Sequence, residues 1–305
     1  MIKETPSQLS IPSYVMNFPF TLATDAPNNI WMTELTKEEL ILNRPKAYKQ
    51  FMDLYSFISS GALVYILPSL GKFQDQVYVA NLGIYLPHIT NSNRIILSNF
   101  TSLPRVGEEM VGLDFFNMMG YNTQISPYKW EGEADLKYLH DNVYIGGYGQ
   151  RSDIKTYEWM EKEFDMKIIK VEMVDEYLYH LDCSVFPITG EDTLIQTELY
   201  LPEEIKEIEK VTNIIDVPEE LSGYDLTNCV RFGNTVLGSS FITELDKNHE
   251  WYKGERDKIS FMEDVCYNLG LEPVYFNLSE YAKSGAALSC MIMALNYSSQ
   301  KKIII

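Results

Sequence analysis

Cysteine and histidine are scarce in this chain, and the scarcity removes whole classes of function. Four of each occur among 305 residues. Cys183, Cys229, Cys266 and Cys290 are scattered, with no C-x-x-C pair, so neither a zinc site nor a disulfide framework is indicated. A chain of this length buries enough core to fold without either. No glycine-rich phosphate loop and no cluster of His and carboxylates at metal-ligand spacing occurs, so no metal or cofactor is expected. Long apolar runs are also missing. No stretch approaches the roughly 18 residues that span a bilayer, and the terminal KKIII is far too short. The opening MIKETPSQLSIPSYVMNF has no basic flank and no apolar h-region, so no secretory signal is read and a reducing cytoplasm is the default compartment.

Positive charge is the third shortage: 25 Lys and Arg stand against 43 Asp and Glu, a net charge of −18. Such a surface repels nucleic acid and anionic membrane and accepts a cationic small molecule more easily than a phosphorylated one. Solubility alone also accounts for it. The oligomeric state is open, a homo-oligomer included.

What is present is a recurring order of strand, strand, amphipathic helix, strand. It runs first through QVYVANLGIYL, RIILSNF, VGEEMVGLDFFNMM closed by Gly120, and NTQIS. The second copy is ADLKYL, NVYIGG, IKTYEWMEKEF with Asp153 as its cap, and KIIKVEM. HLDCSVFPI, TLIQTEL, PEEIKEIEKV and NIIDV form the third; NCVRFG, TVLGSS, a helix ending at Gly270 and EPVYFNL the fourth. Proline near a helix start and glycine just past its end fit the usual asymmetry. The two ends of the chain supply a fifth copy: AALSCMIMAL from the C-terminal side, KEELILNRPKAYKQFMDLYSFISS and ALVYILPSL from the N-terminal side, with Pro45 splitting or kinking that helix. A repeat completed by joining the ends implies a closed ring, one domain over 1–305, with no open sheet edges. On pattern alone a generic α/β sandwich is the alternative.

The opening strands of these copies carry polar residues where apolar ones are expected: Asn81 in the first, His180 and Asp182 in the third, Asn228 in the fourth and Cys290 in the fifth, while the second is preceded by WEGEAD with Glu131, Glu133 and Asp135. In a ring these strand ends converge, bringing a thiol, an imidazole, carboxylates and amides together. That set suits nucleophilic attack on a cationic carbon. Singly, each residue has a plainer reading. Cys290 sits in an apolar run and a core cysteine is common there; WEGEAD also reads as a solvated turn. Asp182 is harder to dismiss, because a carboxylate in an apolar strand costs several kcal/mol unless paired. His88, His140 and His249 fall in loops and read as structural, and Cys183, Cys229 and Cys266 as core.

At these residues the chain resembles the guanidino-group-modifying superfamily, the pentein or amidinotransferase fold, and most of all its arginine deiminase and arginine dihydrolase-like branch. QDQVYVANLG is similar to P-D-x-V-F-T-A-N-x-G, WEGEAD to F-E-G-x-G-D, GYGQRSD to G-Y-G-F-R-T-D, and SGAALSCM to a glycine-rich run ending in C-M. HLD matches directly, NNIWM echoes I-N-P-W-M, and RVGEE part of a longer acidic motif. These segments occur in family order over nearly the whole chain. Departures are Ala134 for glycine, Ile30 for proline, a glycine run reduced to Gly285, and Asn81 where one guanidinium-clamping acid of the wider family stands. The resemblance implies a pseudo-fivefold α/β propeller of ββαβ units. It implies Cys290 as nucleophile, His180 as acid–base and Glu131 as catalytic carboxylate, with Glu133 the other candidate. Asp182, Asn81, Asp135, Asn29 and Arg151 are implied in substrate binding, although Arg151 reads equally as a surface ion pair; Asn228 joins them from its place at the opening of the fourth copy alone. The implied activity is hydrolysis of arginine or a derivative through an amidino-cysteine. The rivals are an amidinotransferase, a catalytically silent guanidinium-binding protein and, more remotely, a Cys/His peptidase.

Overall fold

The computed structural model describes residues 5–90 and 92–298, so the terminal KKIII lies outside the described residues. Five three-stranded sheets share one plan. In each, the first strand pairs antiparallel with the second and the second pairs parallel with the third. A parallel pair needs a crossover long enough for a helix, and a helix sits in that position every time. The second blade is typical: Leu136–His140, Val143–Tyr148, helix Ile154–Phe164, then Lys167–Glu172. Asp153 caps its helix by accepting from Lys155 N, as the sequence indicates. The helix then buries Tyr157, Met160 and Phe164 at helical spacing.

The chain has the expected pseudo-fivefold α/β ββαβ architecture. The fifth blade is built from both ends: Met293–Ala294 pairs with Ser13–Met16, which pairs with Leu63–Ile66. Ser13–Met16, its central strand, was not foreseen, because SYVM is short and buried on both faces and so shows no alternation. Pro45 splits the long helical stretch. The helix is Arg44–Ser59, with Pro45 in its first turn, where a missing N–H costs nothing. Ala47, Phe51, Leu54 and Ile58 form its buried face.

Buried apolar side chains gather in five clusters, each shared by two neighbouring blades. Val15 and Met293 of the fifth blade, for example, pack with Val79, Leu82 and Ile95 of the first. A fully buried side chain of this kind contributes about 1.5–3 kcal/mol, so burial joins the ring between blades as well as within them. Among the described residues no helix is long and apolar enough to cross a membrane.

One expectation needs correction. WEGEAD precedes its strand as expected, but Asn81, His180, Asp182, Asn228 and Cys290 also lie off the opening strands, in one-turn 3₁₀ segments or loops just before them; the 3₁₀ turns are Val79–Leu82, Gly132–Ala134, Leu181–Cys183 and Ser289–Met291. A strand would point alternate side chains to opposite faces; a tight turn instead sets several polar groups around the axis. The Val79–Leu82 turn packs against those at Gly132 and Ser289, and the Gly132 turn against Leu181–Cys183. Gly132 makes this approach feasible. Its φ is +68°, and a Cβ there would stand 2.4 Å from the Ala80 carbonyl oxygen.

Candidate active site

These turns surround a polar cavity of about 350 Å³ lined by Cys290, His180, Glu131, Asn81, Asn29 and Arg151, among the residues expected, and by Asp75, Tyr78, Arg105 and Tyr179 among those not. Cys290 and His180 are 290 and 180 in sequence yet share one wall space, as a ring demands. All four cysteines are free thiols.

Glu131 is the best-tethered carboxylate. One oxygen accepts from the backbone N–H groups of Thr101 (3.0 Å) and Ser102 (3.1 Å); the other meets His180 Nε2 at 2.9 Å. Asn81 Nδ2 lies 3.3 Å from the same ring nitrogen. Burial alone would raise the Glu131 carboxyl, but the hydrogen bond and charge of His180, with Arg151 and Arg105 behind, hold it below the usual range. Glu131 therefore orients the imidazole, the arrangement in which a carboxylate fixes a catalytic histidine.

Cys290 is buried in the opposite state. Burial first, then the Asp182 carboxylate, push its thiol up to about 12. Asp182 Oδ2 lies 3.8 Å from Sγ and accepts from Ser289 Oγ at 2.7 Å. Asn228 Nδ2 donates to Sγ at 3.6 Å while its Oδ1 accepts from Ser289 N at 2.8 Å. The Cys290 sulfur is thus held between an amide and a carboxylate, as a thiol at neutral pH.

Three expected substrate ligands are not in the cavity wall. Asp182 and Asn228 stand behind the Ser289–Cys290 turn as described. Asp135 accepts from Ser152 Oγ (2.6 Å) and from Leu181 N (3.3 Å), fixing the backbone that follows His180. Glu133, the alternative to Glu131, points away into another cavity. Asn29 lines the site but is also committed structurally, capping the short helix Ile30–Glu34 and donating to Ser284 O at 2.9 Å. Arg151 is not a surface ion pair: Nη2 donates to Asn28 O at 2.6 Å, Nη1 is 3.8 Å from Glu131, and its guanidinium lies over the Tyr179 ring.

Asp75 is the main residue that sequence reading missed. It is buried, accepts from Asn28 Nδ2 at 2.7 Å through Oδ2, and leaves Oδ1 without a partner. Burial raises its carboxyl despite Arg105. Its signal was present, six residues before Asn81 in the QDQVYVANLG segment. Arg105, in RVGEE, donates to both oxygens of Glu108 and to Tyr78 O. Among the described residues no cluster of metal-ligand type occurs.

Five ββαβ blades around a central cavity are the pentein fold, and the chain is similar in sequence and fold to guanidino-group-modifying enzymes. No family model matches the chain. It is similar to the bifunctional arginine dihydrolase/ornithine cyclodeaminase AgrE of Nostoc, 23% identical over 82% of this chain and 33% of AgrE. It is also similar to the N(G),N(G)-dimethylarginine dimethylaminohydrolase of Mycobacterium tuberculosis, 24% identical over 56% of this chain and 54% of that one. The chain thus spans a third to about half the length of these relatives. Among solved structures, the N-terminal domain of cyanobacterial ArgZ, an arginine dihydrolase, superposes with a TM-score of 0.80 at 21% identity, over 93% of this chain and 98% of that domain. It has been solved as a cysteine-to-serine mutant bound to substrate and, as an asparagine-to-serine variant, covalently bound to a reaction intermediate. The relatives whose activity is named hydrolyse guanidino groups.

Proposed function

We propose that the whole ring acts as one catalytic domain that hydrolyses a guanidino compound, arginine or a derivative of it, through a covalent amidino-cysteine. The observation that carries this reading is the shared cavity: a buried thiol, and an imidazole held at 2.9 Å by a carboxylate, face one polar space. The named activities of the relatives favour hydrolysis over transfer of the amidino group.

A planar guanidinium fits between Glu131 and the sulfur, with Asn81 beside it and the charge of Asp182 behind Sγ. The bound cation favours the thiolate; the thiol proton passes to His180 as sulfur attacks the guanidinium carbon to give a tetrahedral adduct. His180 protonates the departing nitrogen, the C–N bond breaks, and ammonia or an amine leaves an amidino-thioether on Cys290. Water then attacks the same carbon while His180 takes its proton. The C–S bond breaks, releasing a ureido product and the thiol. Asp75, with an unpartnered oxygen, and Arg151 are charge-complementary to the ammonium and carboxylate of an amino-acid substrate. Acid–base help of the His180 kind is typically worth about 10²–10⁴ in rate.

Incubation with arginine, with and without glycine or lysine, tests the reading. Ammonia with citrulline or ornithine is the expected outcome. A new guanidino compound formed only when the acceptor amine is present would instead indicate an amidinotransferase, and no consumption of arginine or its methylated derivatives would overturn the proposal.

A further inference from the structure

A second cavity, of about 630 Å³, lies back to back with the candidate active site. Adjacent residues of the same turns divide between the two. Ala80, Glu133 and Ser289 line the second cavity, whereas Asn81, Glu131 and Cys290 line the first. Cys229 lines the second, and its neighbour Asn228 holds the Cys290 sulfur. Half-buried Lys137, Tyr138 and Tyr297 form the part of this cavity nearest solvent.

Two buried side chains of opposite charge face this space without pairing. Arg231, 7% exposed, donates Nε to Gly233 O at 2.6 Å and Nη1 to Ile188 O at 2.8 Å. Among the described residues no carboxylate forms an ion pair with it. Glu133, 9% exposed, accepts from Ala294 N at 3.1 Å and Tyr297 Oη at 2.7 Å; Lys137 in the same cavity acts on its charge from beyond ion-pair distance. Burial pushes the Glu133 carboxyl up to about 7 and pushes Arg231 down. A buried charge without a counter-charge costs several kcal/mol. In an acidic protein, where carboxylates outnumber cations, an arginine left without one marks a place for an external anion. The unpaired carboxylate in the same cavity marks a place for an external cation.

We propose that this cavity binds a small zwitterion, an L-α-amino acid, whose carboxylate pairs with Arg231 and whose ammonium is taken by Glu133. Acetate or methylamine alone satisfies only one of the two charges.

Calorimetric titration of the whole protein with glycine, L-alanine, L-glutamate, L-lysine and L-ornithine tests this, with acetate and methylamine as single-charge probes. At least one amino acid should bind with a Kd of about 1 mM or tighter, and each single-charge probe at least about tenfold more weakly. Truncating one member of a buried charge pair costs a factor of ten or more. Affinity should therefore fall at least about tenfold in Arg231→Leu, remain partly in Arg231→Lys, and be unchanged in Asp75→Asn. If Arg231→Leu does not fold, the isosteric Glu133→Gln carries the same expectation. No binding by any of the five up to about 10 mM, or equal affinity in both cavity variants and the wild type, overturns the proposal. Binding lost in Asp75→Asn but kept in Arg231→Leu places the amino acid in the candidate active site instead. That result overturns this inference and leaves the proposed hydrolysis standing.

Discussion

The burial of Cys290 beside Asp182 makes a quantitative demand on its reactivity. With the thiol pushed up to about 12, about 3 in 100,000 sulfurs are ionised at pH 7.5, against about one in ten for an ordinary thiol near 8.5. A neutral electrophile should therefore alkylate Cys290 about three thousandfold more slowly than a free thiol. A cation seated about 4 Å from the sulfur changes this. At the effective dielectric of a protein site it stabilises the thiolate by about 4 kcal/mol. At about 1.4 kcal/mol per pKa unit, that brings the thiol down to about 9. The assay compares second-order alkylation by iodoacetamide and by 2-chloroacetamidine at pH 7.5, each normalised to N-acetylcysteine, with the Cys290 peptide followed by mass spectrometry because Cys183 is half-buried. The cationic reagent should be favoured about a thousandfold. Asp182→Asn removes a charge that both raises the thiol and attracts the cation, so the iodoacetamide rate should rise and the cationic preference shrink. Iodoacetamide reacting as fast as with free cysteine, or no preference for the amidine, would refute the electrostatic account.

Other consequences are simpler to check. Gly285 has φ +71°, and a Cβ there would stand 2.8 Å from Asn29 Oδ1; Gly285→Ala should cost about 1–3 kcal/mol in urea unfolding and disturb the cavity wall, and an unchanged midpoint would remove this role. Asn228→Ala frees the Ser289–Cys290 turn, so kcat should fall at least about tenfold with KM changed little, since the residue lies outside the cavity wall; a KM effect alone would contradict a positioning role. Glu133 carries a folded-state pKa near 7, above its unfolded value of about 4.5, so the folded chain keeps a proton that the unfolded chain loses. Its contribution is full below about pH 4.5 and is lost as pH rises to about 7, at most about 3 kcal/mol. Glu133→Gln should flatten stability between pH 5 and 8, and an unaltered slope in denaturant titrations would show that the carboxyl is not perturbed as described.

Much of this was legible in the sequence because the ring imposes it. The strand–strand–helix–strand order repeats with clear caps at Asp153 and Gly270, and HLD and SCM mark the histidine and thiol that the cavity brings together. Three things were not legible. Ser13–Met16 is too short, and too uniformly buried, to carry a strand period. The 3₁₀ turns are invisible to periodicity, so Asn81, His180, Asp182 and Cys290 read as part of the strands that follow them. The direction of a buried carboxylate depends on turn geometry: Glu131 and Glu133 are two residues apart yet face different cavities. Asp135 and Asp182 likewise read as ligands in sequence but lie outside the cavity wall, accepting from Leu181 N and Ser289 Oγ.

The central claim is that sulfur 290 bonds to the carbon of a guanidinium. Rapid acid quench of the protein turning over arginine, followed by mass analysis of the Cys290 peptide, measures this directly. The account predicts a mass increase equal to the substrate less the departing ammonia or amine, absent in Cys290→Ser. Turnover proceeding undiminished in Cys290→Ser, or an adduct carried on any other residue, would contradict it.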